Sequence, residues 1–226
     1  MPGFCRRHSL GSLEGYSWSR AVNQQATPHL PHLDLRTHQK RWLRGLSERF
    51  DSHCVIEWAA FSRGDDRYSP RLDLAVGPFS TTPGQRQTDE YARLQRRQYA
   101  FPNRLWAFHL ANERRLRPLD VQAVSLLKFA LNGNPNARCF LAIEIENAVS
   151  RKHLMGGIMN AVALGHLAVV VGWTEDKLRA RFRARAYLHF LESVDKPTLV
   201  ARNLLILSRA QADRAFSPED SLAEES

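Results

Sequence analysis

Cysteine is scarce in this 226-residue chain: Cys5, Cys54 and Cys139 are odd in number and far apart. Such a set builds neither a disulfide framework nor a zinc site. Cys54 and Cys139 open apolar runs and read as buried free thiols. Long hydrophobic runs are missing too, since none approaches the ~20 residues needed to span a bilayer. The stretch MPGFCRRHSLGSLEGYSWSR at the start lacks the continuous apolar core of a secretory signal. The expectation is a cytoplasmic protein with no membrane partner. Acids are in deficit, with 23 Asp and Glu against 32 Lys and Arg and a formal net charge of +9. That bias, with a sequence pI of about 10.0, points to nucleic acid or another polyanion. The competing explanation is an ordinary basic protein from an Arg-rich proteome.

The length suits one domain with a sizeable core and room for an insertion. Residues 1–35 mix Gly, Ser, Pro and His without a sustained period and read as a loose N-terminal arm. His29, His32 and His38 lie near one another there, a spacing more often accidental than metal-binding when no Cys accompanies it. From Thr37, Trp42, Leu43, Leu46 and Phe50 recur at helical steps. CVIEWAAF (Cys54 to Phe61) and SPRLDLAVGPF (Ser69 to Phe79) then read as strands of one hairpin. An insertion over about 80–138 follows, with helical patterns around 88–99 and 119–131. The second stops at Asn132-Gly133-Asn134-Pro135. CFLAIEIENA (Cys139 to Ala148) is a strand, and Ser150 is placed to cap a helix reaching about Leu164. Gly156-Gly157 inside that helix is tolerated best where a neighbour must approach closely. HLAVVVGW (His166 to Trp173) reads as a buried parallel strand, and Thr174 as the cap of an Arg-rich helix over 175–191. TLVARNLLILS is a last strand. The main domain thus runs over 36–210, and the acidic, polar stretch 211–226 is expected to be a disordered tail.

Carboxylates interrupt two of these strands. Side chains at i and i+2 of a strand share a face, so Glu144 and Glu146 point one way and Leu141, Ile143 and Ile145 the other. By the same rule Asp73 stands opposite Leu72, Leu74 and Val76. Half-buried carboxylates are costly unless hydrogen-bonded, paired or bound to a cation. Three of them in apolar strands suggest a divalent-metal site. The structural alternatives are an Asp73–Arg71 ion pair and a solvated edge for the two glutamates. Two like charges on one face repel without a counter-ion.

The order helix, three strands, helix, strand over roughly residues 37–173 resembles the PD-(D/E)xK phosphodiesterase superfamily, the restriction-endonuclease-like fold. Pro70-Arg71-Leu72-Asp73 looks like its first motif element and Glu144-Ile145-Glu146 like its second, in an E-x-E variant. Glu146 stands where that superfamily usually has Lys. Some restriction enzymes of the superfamily carry E-x-E, and Lys152, in the first turn of the next helix, is placed to resupply the positive charge. The resemblance implies an α/β fold with a mixed central sheet flanked by helices, and a metal-dependent nuclease using Mg²⁺ or Mn²⁺. Asp73, Glu144, the Ile145 carbonyl and Glu146 would be ligands, with Glu146 alternatively orienting or deprotonating water. Lys152 would meet the scissile phosphate. Glu57 is a possible additional acid, with satisfaction at the core edge as its equal alternative.

Arg179, Arg181, Arg183 and Arg185 on the 175–191 helix are candidate backbone-phosphate contacts. Arg96 and Arg97, with Arg93, form a second candidate patch. Trp106 and Phe108 would stack on bases or, as is commoner, be buried. DNA is the favoured partner, with RNA and a homodimer left open. Two rival functions remain: a nucleic-acid-binding module that has lost catalysis, and an accessory factor that binds another protein through the insertion.

Overall fold

The computed structural model of the protein describes residues 35–50, 53–61, 69–80, 87–116, 133–146, 151–194, 196 and 201–218, excepting the side chains of Thr88, Glu146, Arg151 and Lys152. Leu33–Ser226 forms one compact unit. The expected N-terminal arm, the 119–131 helix and the Ser150 cap lie outside the described residues.

Five strands make one mixed sheet in the order β1-β2-β3-β4-β5. They are β1 (Cys54–Ala59), β2 (Arg71–Val76), β3 (Cys139–Glu146), β4 (Gly165–Gly172) and β5 (Leu204–Ser208). β1 and β2 form the expected antiparallel hairpin, β2 runs antiparallel to β3, and β3, β4 and β5 are parallel. Every residue of β4 is buried. That is what an all-apolar central strand needs when helices cover both sheet faces.

The first face carries α1 (Leu35–Phe50), α2 (Thr88–Arg97), the start of α3 (Ala100–Leu116) and, near the C-terminus, α6 (Arg209–Phe216). Their Trp42, Leu46, Phe50, Tyr91, Phe101 and Phe216 pack on Leu141, Ile143, Leu167 and Val169. The second face carries α4 (Arg151–Leu164) and α5 (Glu175–Ser193), whose Ile158, Val162, Leu178 and Phe182 pack on Ala142, Ala168, Val170 and Ile206. The result is a three-layer α/β/α sandwich. Thr174 caps α5 as expected, its hydroxyl accepting from Lys177 N–H at 3.4 Å. Among the described residues no helix is long and apolar enough to cross a membrane.

Three expectations need correction. Residues 100–116 form the long helix α3, which the pattern of the insertion does not suggest. Pro102 falls in its first turn, where a missing N–H costs no helical bond. The expected disordered tail from Gln211 is instead helical to Phe216: Ser208 and Gln211 form a capping box, and Ala212, Ala215 and Phe216 are buried. Strict alternation also fails in the hairpin. Ile56 and Leu74 pack in the first core but Trp58 and Leu72 in the second, although residues two apart in a regular strand share a face. Both strands turn over at the intervening Glu57 and Asp73, and Glu57 has the left-handed φ of 52°.

α3 crosses the outer edge of β5. Ile206 N–H donates to His109 Nδ1 at 2.9 Å, and Asn112 Nδ2 donates to the Ile206 carbonyl at 3.1 Å. The outward N–H and C=O of Ile206, at the middle of the edge strand, are thereby satisfied by the insertion, which blocks edge-to-edge pairing there.

Candidate active site

The β2–β3 register pairs Leu74 with Ile143, Ala75 with Ala142 and Val76 with Leu141. Continuing it one residue sets Asp73 opposite Glu144. The two acids thus stand across from each other where the regular ladder ends, despite their separation in sequence. One residue further the ladder would bring Ile145 N–H to Leu72. Instead that N–H donates to Asp73 Oδ2 at 2.5 Å. The strands diverge here and the Asp73 carboxylate fills the gap, tied to β3 rather than to Arg71. In an antiparallel ladder the N–H and C=O of one residue point to the same neighbour. The Ile145 carbonyl therefore faces the same opening.

Glu144 is half-buried and reaches toward α4. A Cβ built on Gly157 would lie 3.7 Å from its Oε2, whereas Gly156 has nothing within 4 Å. Of the glycine pair, then, Gly157 makes the close approach, and a side chain larger than a methyl there would push on the carboxylate. Glu146 continues β3, opposite Gly172 of β4, and Lys152 lies in the first turn of α4; their side chains are outside the described residues. Glu57 is solvent-exposed on the rung where the hairpin turns over, across from Asp73.

Among the described residues, no three His, Cys, Asp or Glu side chains form a group able to hold a metal ion. The oxygen-bearing groups at this end of the β2–β3 ladder are the carboxylates of Asp73 and Glu144 and the Ile145 carbonyl. That all-oxygen set fits Mg²⁺, which takes one or two carboxylates and fills its remaining positions with waters and phosphate oxygens. The surroundings favour anions. The C-terminal ends of β3, β4 and β5 feed the N-termini of α4, α5 and α6, so three positive helix ends gather at this edge of the sheet.

The arginines divide. Arg181 is fully buried and donates to the Leu154 carbonyl of α4 at 3.2 Å, so it is withdrawn from any surface contact. Arg185 is ion-paired with Glu113 of α3. Arg179 is exposed but shares Glu175, at 3.2 Å, with Arg115. Arg183 is exposed, and among the described residues no carboxylate pairs with it. Arg96 and Arg97 are exposed at the end of α2, next to Gln95, whose side-chain oxygen lies 2.8 Å from His166 Nε2. His166 opens β4, so these two arginines sit at the sheet end remote from the acids. Trp106 is buried in the first core, and Phe108 is half-buried beneath Arg214. Neither offers a free face for a base.

Two polar clusters went unread in the sequence. Asp213 Oδ1 receives Trp42 Nε1 at 2.9 Å and Arg41 at 2.6 Å, with His38 Nδ1 at 2.9 Å. This pins α6 to α1 and gives His38 a structural partner. His109, stacked on Phe182, is wholly buried and its pKa is pushed down to about 3, by burial first and then by the Arg185 charge. A His four residues before a Glu is the only sequence trace of that second cluster.

The chain matches no protein-family model, and no curated protein and no solved structure is significantly similar to it.

Proposed function

We propose that the protein is a metal-dependent nuclease with a restriction-endonuclease-like core. The observation that carries this reading is the β2–β3 register, which sets Asp73 across from Glu144 at the point where β2 leaves β3 and Asp73 is held by the Ile145 N–H. The strand order, with β2 alone running against its neighbours, supports the family resemblance. So does the crossover α4 between β3 and β4.

Asp73 and Glu144 would hold Mg²⁺ or Mn²⁺, with the Ile145 carbonyl beside them and Glu146 as a further acid. When bound, the metal supplies Lewis-acid stabilisation of charge at phosphorus and at the departing oxygen. The chain's own part is to hold the acids. The Ile145 N–H fixes the Asp73 carboxylate against β3. Gly157 lets α4 close over Glu144, and the helix N-termini favour the phosphate that must approach two carboxylates. With Glu146 in the usual lysine position, those helix ends and Lys152 would carry the positive charge the reaction requires.

The test is incubation of the full chain with supercoiled and linear DNA and with RNA, in Mg²⁺ or Mn²⁺, with EDTA as control. Cleavage that needs metal and is lost in both Asp73→Asn and Glu144→Gln supports the assignment. Salt-sensitive binding without cleavage under any condition would replace it with the binding-module reading.

A further inference from the structure

We infer that the outer face of α5 is a track for single-stranded nucleic acid, with Arg179 and Arg183 meeting phosphates and Tyr187 and Phe190 stacking on bases. This rests on the nucleic-acid part of the proposed function and names the form of the substrate. At about 100° per residue, Arg179, Arg183, Tyr187, Phe190 and Val194 fall within an arc of roughly 80°. They form one stripe along the helix and its C-cap. Tyr187 and Phe190 are 53% and 56% exposed, and Val194 43%. Only one other large hydrophobic side chain among the described residues, Tyr99 in the turn between α2 and α3, is comparably open. Large apolar groups collected on one solvent-facing stripe mark an interaction surface rather than random exposure.

The chemistry of the stripe selects the partner. On its line the carboxylates, Glu175 and Asp176, lie in the first turn, and the other acid of the helix, Glu192, is on the opposite side and paired with Arg202, so the remainder of the stripe presents arginine and then aromatic rings. A second copy of this chain would bring another net charge of +9 against it. A polyanion with exposed rings matches both halves, because every base has a face to stack and every linkage a phosphate. Duplex DNA offers the phosphates but keeps its base faces inside the stack. Position also fits. α5 begins just after Gly172, the ladder partner of Glu146. At about 1.5 Å per residue, the stripe then runs roughly 16 Å from Arg179 to Phe190, away from the acids. A strand leaving the candidate active site would follow it.

The test uses the full chain in EDTA, with fluorescence anisotropy on a single-stranded oligonucleotide and on a duplex of the same length at several salt concentrations. Tyr187→Ala/Phe190→Ala should weaken single-strand binding by roughly thirty-fold or more, leave its salt slope unchanged and leave duplex binding as it was. Arg179→Gln/Arg183→Gln should lower the single-strand salt slope by about 1.4, at roughly 0.7 per lost phosphate contact. An equal loss on both substrates, or none on either, overturns the inference. So does self-association of the wild type that the aromatic pair abolishes, since that assigns the stripe to a second copy. Metal-dependent cleavage together with single-strand binding that ignores the aromatic pair would sink the track and leave the nuclease standing. Aromatic-dependent single-strand binding without cleavage would do the reverse.

Discussion

Asp73 occupies two roles whose energies oppose each other, which makes its replacement informative without any activity assay. As an acid it stands across from Glu144. Two unit charges on neighbouring strands, roughly 5–8 Å apart, repel by about 2–3 kcal/mol at an effective dielectric constant near 20 before screening. As a hydrogen-bond acceptor it holds the Ile145 N–H at 2.5 Å. A bond to a charged group contributes about 1.5–3 kcal/mol, and a buried donor left unsatisfied costs about 1–3 kcal/mol. Asp73→Asn removes the charge and keeps an acceptor oxygen; Asp73→Ala removes both. In EDTA, urea unfolding should therefore rank Asp73→Asn above Asp73→Ala by about 1–2 kcal/mol. Asp73→Asn should equal or exceed the wild type. Added Mg²⁺ should then raise the wild type alone, by about 2.7 kcal/mol at a hundred times its Kd. If the two variants unfold together, the Ile145 N–H is not held by this side chain. If Mg²⁺ shifts all three proteins alike, Asp73 is no ligand.

Two further outcomes follow from the geometry. His109 has a folded pKa below its unfolded value near 6.5, so its contribution is complete above that value and is lost as pH falls toward about 3. One proton is worth about 1.4 kcal/mol per pH unit. His109→Leu should therefore erase about 2 kcal/mol of the stability difference between pH 7 and pH 5, while costing about 1–3 kcal/mol at pH 7 through the orphaned Ile206 N–H. An unchanged pH slope in urea midpoints would contradict the buried neutral imidazole. Glu57→Gly should raise thermal stability by about 0.5–1 kcal/mol, because glycine adopts a left-handed φ without strain. Loss of metal-dependent cleavage in the same variant would assign Glu57 to the site. A drop in stability would show that its backbone is not strained.

The strands were legible because their burial is simple. β4 is covered on both faces and reads as an unbroken apolar run, and β3 shows its acids against a clean alternation. α3 was not legible because its buried face rotates along its length. Phe101 and Leu105 serve the first core, His109 and Asn112 serve the β5 edge, and Leu116 reaches the second core. No single apolar stripe survives that path. α6 was hidden for a different reason. Its polar residues looked like those of a solvated tail, yet Gln211 closes a capping box and Asp213 gathers groups from α1. Polarity in a sequence does not distinguish a group that meets water from one that meets a partner.

The same ambiguity governs the arginines. A net charge of +9 argues for a polyanion but says nothing of which cations can reach one. Four arginines at alternate positions of α5, read as one patch, resolve into a buried side chain, an ion pair with α3, a shared ion pair and one exposed side chain. This division follows from helix geometry, since alternate positions on a helix lie about 200° apart and cannot share a face. Residues four apart can, and Arg179 and Arg183 do. Arg96 and Arg97 fail on a different ground: Gln95 anchors α2 at the start of β4, a strand's length from the acids. In the proposed nuclease, attraction for phosphate at the acid end would fall to features that composition does not count. These are the backbone N–H groups of α4, α5 and α6, delivered there because three parallel strands each end where a helix begins.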